Sequence, residues 1–168
     1  LDGEYIKVSG FSGAPTPGKM PPVMIGGGAK RILGIAGRHA DIVSINFNNS
    51  AGKIGPEGVG SGTSAGTLQK LEWIEAGAGD RFSEIEIEIA AYFTVVTDHS
   101  DVVANEFAKL FNLSSSEILD HPHCLIGQTS EIIERIQQRR EEFGINYITF
   151  GGAAIDDVAP IVEALSGL

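Results

Sequence analysis

The sequence predicts an α/β protein with parallel strands. Two observations lead to this fold class. Short apolar runs rich in β-branched residues are each followed by a segment of helical periodicity, and this alternation occurs four times in 168 residues. Such a pattern implies parallel strands joined by right-handed helical crossovers. Two architectures fit it: an open doubly wound sheet, or part of an eight-stranded barrel.

The first strand–helix unit is predicted around a glycine triplet, Gly26-Gly27-Gly28. Residues 3–8 alternate like a short extended piece, a loop follows, and Val23–Ile25 is a buried strand that leads to a helix ending near Arg38. Glycines allow a sharp turn and leave the backbone amides open to an anion. A helix start directs its free N–H groups to the same point. The triplet therefore predicts a phosphate-binding loop, and the alternative is a tight turn without a ligand.

The middle of the chain supplies two more strands. Asp41–Asn46 is rich in β-branched residues and predicts the second strand, and residues 47–62 form a long glycine-rich loop. A helix is predicted from Thr63 to Ala76. Residues 85–96 predict one strand, half-exposed at first and buried on both faces later. Its glutamates are interpreted as a solvated face: Glu84, Glu86 and Glu88.

The last third of the chain is predicted to contain helices and the fourth strand, within a single domain spanning residues 1–168. In order, the elements are a helix over 102–111, a short helix over 116–120, a helix from Thr129 to Gly144, a strand Tyr147–Phe150 and a closing helix that starts at Asp156 or Asp157.

The carboxyl ends of the predicted strands carry small or polar residues. Ligand sites lie at this edge in both candidate architectures. The segments are Gly26-Gly27-Gly28, Asn46-Phe47-Asn48, Thr97-Asp98-His99 and Gly151-Gly152. The polarity is thus concentrated at one rim of the predicted sheet.

The amino-acid composition excludes several classes of binding partner. The net charge of −10 and the pI near 4.7 argue against nucleic acid as a partner, because nucleic-acid binding needs clustered Lys and Arg. No apolar run approaches the roughly 20 residues that span a bilayer, so no membrane partner is expected. The single cysteine, Cys124, excludes an internal disulfide and fits a reducing, cytoplasmic location.

Two short motifs have competing interpretations. His121-Pro122-His123-Cys124 holds three possible metal ligands, but no second cluster has zinc spacing, so a structural loop is favoured and no metal site is predicted. Asp98-His99 fits an acid–base pair. A helix cap formed by Asp98, Ser100 or Asp101 is favoured instead.

The order of the motifs resembles the C-terminal half of the bacterial luciferase-like flavin and deazaflavin oxidoreductases. That half typically shows a Pro-Pro strand with a Gly-Gly loop, an Ala-Asp strand, a Gly-Asp-Arg turn before an Ile/Glu-rich strand, and a Gly-Thr-Pro-Glu-like helix start. The corresponding segments are Pro21–Gly28, Ala40–Val43, Gly79–Arg81 with Ile85–Ile89, and Leu125–Glu131. No single motif is specific, but their order is.

The resemblance implies a TIM-barrel type fold of which this chain supplies only the C-terminal four or so strand–helix units. The first half of the barrel would precede Leu1. The family's catalytic His or Glu normally lies in that half, so the catalytic residues stay unknown and the chain alone is expected to be inactive. An open half-barrel exposes two strand edges. We therefore expect a homo-oligomer or association with the missing N-terminal half.

The resemblance also implies the cofactor and its contacts. It favours the deazaflavin coenzyme F420, with FMN as the alternative, and a small-molecule substrate. By position, the cofactor-binding residues are Ile25, Gly26, Gly27, Gly28, Arg31 and Asn46. The implied activity is F420-dependent hydride transfer to or from an unknown organic substrate. The alternatives are an FMN-dependent monooxygenase, or a non-catalytic half-barrel that binds a phosphate or nucleotide.

Overall fold

A computed structural model describes residues 2–10, 13, 15, 18–50 and 52–167. The strands are β1 (Met24–Gly27), β2 (Ile42–Ile45), β3 (Glu86–Ala91), β4 (Phe93–Val96), β5 (Cys124–Gly127) and β6 (Ile145–Phe150). The α-helices are α1 (Lys30–His39), α2 (Pro56–Gly60), α3 (Ser64–Ala78), α4 (Ser100–Phe111), α5 (Ser115–Asp120), α6 (Thr129–Phe143) and α7 (Ile155–Leu165), and a 3-10 helix spans Gly79–Glu84.

Four strands form one parallel sheet in the order β1-β2-β3-β6. This arrangement confirms the predicted α/β class with a parallel sheet. A second, two-stranded parallel sheet joins β4 to β5. Within the described residues, β1 and β6 each pair on one side only, so both edges of the larger sheet are open.

The predicted third strand is divided in two. The chain turns at Tyr92, where the backbone N–H bonds to the Ala90 carbonyl at 3.0 Å, and Phe93 then bonds to His123. The first segment therefore pairs with β6 and the second with β5. Alternation in the sequence does not show this change of partner, and the short β5 was overlooked because its apolar run leads straight into a helix.

The largest of three apolar clusters lies on one face of the larger sheet. Residues of β2 and β3 pack there against α1, α3 and α6, through side chains such as Leu33, Ile74 and Phe143. The opposite face carries a row of residues in register, one from each strand: Gly26, Ser44, Glu88 and Tyr147. The helices thus cover one face, and polar side chains occupy the other.

Glu88 corrects one prediction. Glu84 and Glu86 are exposed as expected, but Glu88 is only 3% exposed because it lies on the central strand beside Ser44. Its charge contributes to raising the pKa of Tyr92, after the larger effect of burial. The glutamate run is therefore not a uniformly solvated face.

Element boundaries differ at several other points. The long loop contains α2. The cap residue of α6 is Gln128, whose backbone N–H donates to Glu131 Oε2 at 2.8 Å, and Thr129 is the first helical residue. Helix α7 begins before the predicted aspartates. The predicted cap by Asp98, Ser100 or Asp101 is wrong, because His99 is the cap residue of α4 and no side chain caps the helix. No helix in the described part of the chain is long and apolar enough to cross a membrane.

Arg81 gives the Gly-Asp-Arg turn a structural role. Its guanidinium donates hydrogen bonds to the carbonyls of Gly37 and Ala40, at 2.7 and 2.8 Å. These carbonyls lie at the end of α1, where a positive charge also complements the helix dipole. The motif therefore anchors α1 against the segment that precedes β3.

Candidate functional site

The start of α1 lies at the carboxyl end of β1 and has no cap of its own. Its cap residue is Ala29, no side chain accepts from its first N–H groups, and the first turn contains no acid. The first two helical residues are instead Lys30 and Arg31, and both are exposed. Ala is among the poorest caps, and positive charges are unfavourable at this end of a helix dipole. An anion at this point would satisfy both the N–H groups and the charges.

The other described α-helices begin differently. Each has either a side-chain cap or an acid in its first turn. Thr63 caps α3, capping boxes close α5 and α6, and first-turn acids occur in α2, α4 and α7. The start of α1 is thus the one, among the described α-helices, that lacks both devices and carries bases.

The glycine triplet is required by packing as well as by any ligand. A Cβ on Gly27 would lie 2.3 Å from the side chain of Ile32, and one on Gly28 would lie 2.2 Å from the carbonyl oxygen of Phe47. Gly26 is looser, since its nearest neighbour would be Asn46 Nδ2 at 3.0 Å. A bulky residue at Gly27 would therefore displace Ile32 and disturb the packing of α1 on β1. Glycine is needed there because β1 and α1 approach closely.

Asn46 ends β2 beside this loop, and its side chain is already held. Tyr92 donates a hydrogen bond to its Oδ1 at 2.5 Å, and its Nδ2 donates to Ser44 Oγ at 3.2 Å. Because burial and Glu88 raise the pKa of Tyr92, the phenol keeps its proton and remains a donor. The amide is thus oriented by the sheet's polar face, with one acceptor lone pair left to offer.

Lys70 lies beneath this strand end. It is 2% exposed, and its Nζ donates to the Asn46 carbonyl oxygen at 2.8 Å. Burial lowers the pKa of Lys70 to about 8. The sequence analysis did not predict this buried lysine. Its position could have indicated burial, because Lys70 lies one turn from Thr67 and Ile74, which face the core from the same side of α3.

The His-Pro-His-Cys segment is buried, and its side chains hydrogen-bond to backbone groups of neighbouring segments. The Nε2–H of His121 donates to the Val59 carbonyl at 2.9 Å, because its Nδ1 accepts from the His123 backbone N–H. The Nδ1 of His123 donates to Ala90 at 2.8 Å. Arg139 donates to carbonyls of the same segment, those of His121, Pro122 and Cys124.

The charge states of that segment follow from burial. Burial lowers the pKa of His121 to about 4 and of His123 to about 3, so both rings are neutral near pH 7. It raises the pKa of Cys124 to about 12, which makes the thiol unreactive. The described residues hold no group of three or more His, Cys, Asp or Glu placed to bind a metal ion.

The structure brings several of the predicted site residues together. Gly26, Gly28 and Asn46 adjoin one another across β1 and β2, and Arg31 stands exposed at the start of α1. The side chain of Ile25 packs toward the helices, so only its backbone belongs to the strand end. Ligand contact by these residues stays a prediction.

Solved structures similar to this chain are oxidoreductases and a lyase. An F420-dependent secondary alcohol dehydrogenase in complex with an F420–acetone adduct matches at a TM-score of 0.62 and 17% identity, over 98% of this chain and 54% of that one. A long-chain alkane monooxygenase matches at 0.62 and 16%, over 97% and 44%. A riboflavin lyase with modified FMN and riboflavin matches at 0.61 and 14%, over 98% and 48%.

These likenesses identify the fold. The chain has the fold of one half of a luciferase-like barrel. The half-barrel spans about half the length of the solved chains that it matches. At identities below 20% the likeness concerns the fold alone. No protein-family model and no curated protein matches the sequence.

Proposed function

We propose that the half-barrel forms the phosphate-binding wall of an F420-dependent oxidoreductase, with FMN as the alternative cofactor. The observation that carries the proposal is the start of α1, which is uncapped, free of acids and headed by Lys30 and Arg31. Both cofactors carry a phosphate on their ribityl chain. The relatives that use F420 or FMN share the fold, which supports the cofactor class without deciding between the two.

The residues present fit such a group. The backbone amides after Gly28 and the N–H groups of the first turn of α1 would hold the phosphate oxygens, and Arg31 would add a charge-assisted hydrogen bond. Asn46, held by Tyr92 and Ser44, would border the ribityl tail. When bound, the cofactor supplies the hydride chemistry with a small organic substrate. The chain's own task is to bind and orient the acidic tail.

A complementary half-barrel completes the site in this proposal. The open edge of β6 adjoins a cavity of about 310 Å³ between α6 and α7, lined by apolar side chains that include Ile136, Ile161 and Leu165. A strand placed there would pair with β6 and cover these side chains. The complementary half, whether a second copy or another segment, would carry the catalytic residue and the rest of the substrate wall. The chain alone would then bind the cofactor weakly and lack activity.

Calorimetric titration of the purified chain with FMN and with F420 tests the cofactor site. Removing the charge in Arg31→Gln should weaken both affinities about tenfold, because one charge-assisted hydrogen bond is lost. Arg38→Gln is the matched control: an exposed arginine in the last turn of the same helix, whose loss should leave both affinities unchanged. Absence of binding to either cofactor, or equal effects of the two variants, would overturn the proposal.

Sedimentation velocity tests the complementary half. We expect the chain to self-associate, or to bind an added N-terminal half-barrel of the same fold, because two sheet edges are open. This part of the proposal would be contradicted if the chain stays monomeric at micromolar concentration and does not bind such a partner. That result would not bear on the proposed cofactor site.

A further inference from the structure

Lys70 is a buried lysine without a carboxylate partner among the described residues. Its ammonium is buried, and among the described residues the ion pair found is Lys7 with Asp2, on the surface. Within the described part of the chain, no carboxylate therefore offsets the charge of Lys70, and burial by itself accounts for its lowered pKa. An uncompensated buried cation is costly unless another anion is part of the functional state.

The position of Lys70 points to the glycine loop. Its Nζ donates to the Asn46 carbonyl oxygen at 2.8 Å, and a Cβ on Gly28 would stand 2.6 Å from that same oxygen. Lys70 and Gly28 thus both lie close to one carbonyl group. The ammonium is thus one carbonyl group away from Gly28, the glycine that precedes the uncapped start of α1.

We infer that Lys70 is a positioning residue for the anion site: it holds the Asn46 carbonyl beneath the glycine loop and places a positive charge behind the bound phosphate. This inference rests on the proposed function. It adds a third source of positive potential, from within the protein, to the helix start and Arg31. Because the charge is buried, salt screens it much less than it screens Arg31.

The titratable groups near Lys70 keep a nearly constant charge over the pH range in which Lys70 titrates. His121 and His123 are the titratable groups whose charges couple to it, and both are neutral above pH 6 because burial lowers their pKa values to about 4 and 3. Arg139 also couples to both rings and stays charged below pH 9, because its lowered pKa is about 10. Between pH 7 and 9, Lys70 is thus the group of this cluster whose charge changes most.

Comparing FMN with riboflavin isolates the phosphate, because the flavin ring and ribityl chain are common to both and cancel in the ratio of affinities. Lys70→Met should lower the FMN-to-riboflavin affinity ratio roughly tenfold, the order expected for a unit charge acting across a few ångströms of protein. Lys109→Met is the matched control, since it removes one exposed charge from the last turn of α4 and should leave the ratio unchanged.

The pH profile of the wild-type chain provides a second test that needs no variant. The phosphate of FMN is doubly ionised above pH 7, so the ratio should fall as Lys70 loses its proton between pH 7 and 9. A purely structural role of Lys70 would weaken both ligands equally in Lys70→Met and leave the wild-type ratio constant with pH. Either result overturns the inference alone. A wild-type chain that binds neither flavin at any pH overturns the proposed function with it.

Discussion

Two helix starts at the carboxyl rim of the half-barrel satisfy their N–H groups by opposite means. At α6, Gln128 and Glu131 form a capping box, and Glu131 Oε2 packs so closely that a Cβ on Gly127 would lie 2.5 Å from it. At α1, Ala29 offers no cap and the first turn carries bases. A helix that caps itself has little left to bind, whereas an uncapped one keeps its donors free. Gly127 therefore makes room for the capping side chain of Glu131, whereas Gly28 precedes a helix start whose N–H groups are free.

The contacts that hold α1 and α6 in place also differ. Arg81 anchors the carboxyl end of α1 through the carbonyls of Gly37 and Ala40. The segment that leads to β5 and α6 is held by His121, His123 and Arg139. The two buried histidines make the α6 side sensitive to acid, which leads to the largest effect that we expect.

Acid should destabilise the half-barrel by several kcal/mol and act first on the α6 side. The folded pKa values of about 4 and 3 lie below the unfolded value near 6.5, so the unfolded chain binds more protons between these limits. The stabilisation is complete above pH 6.5 and is lost as the pH falls, by about 1.4 kcal/mol per pH unit for each histidine. Hydrogen exchange at pH 5 should show β5 and α6 opening before β1 and α1. Simultaneous opening would contradict the comparison.

Gly28→Ala should cost about 3 kcal/mol of unfolding free energy, because the new Cβ meets backbone atoms of Phe47 that have no room to shift. Urea denaturation measures the loss. Gly18→Ala serves as the control, since nothing lies within 4 Å of a Cβ there and its stability should change little. Wild-type stability in Gly28→Ala would mean that the triplet serves a ligand only and not the packing.

Glu131→Ala should cost about 1 kcal/mol by breaking the capping box of α6, without any change in cofactor affinity. Glu134→Ala, an exposed acid one turn later in the same helix, should be close to neutral. Thermal unfolding and an FMN titration on the same samples measure both quantities. A loss of FMN affinity in Glu131→Ala alone would make the start of α6 part of the site.

Ala29→Asp is the reverse experiment at α1, and its effect on stability should be the smallest. The backbone of Ala29 is already extended as a cap residue requires, with φ −116° and ψ 152°, so an Asp should cap the helix and stabilise the chain by about 1 kcal/mol or less. The added carboxylate should also repel phosphate, so FMN binding should weaken while riboflavin binding is unchanged. Equal weakening of both would show that the phosphate does not lie there.

The alternation of apolar runs and helical segments was sufficient to predict parallel β1, β2, β3 and β6, because each element buries a face that its own residues encode. The order of motifs led to the luciferase-like fold. The turn at Tyr92 was not predictable, since the choice between β5 and β6 as partner depends on contacts far apart in sequence. The same holds for Glu88, whose burial is set by the neighbouring strands.

The sequence by itself determined the fold class, the glycine turn and the bases that begin α1, because all three depend on local residue order. Only the tertiary structure decided that α1 lacks a cap while the other described α-helices have a cap or an acid. It also decided that Lys70 lies beneath the Asn46 carbonyl. The physical reason is that burial and counter-charge depend on which elements pack together, and local patterns do not carry that information.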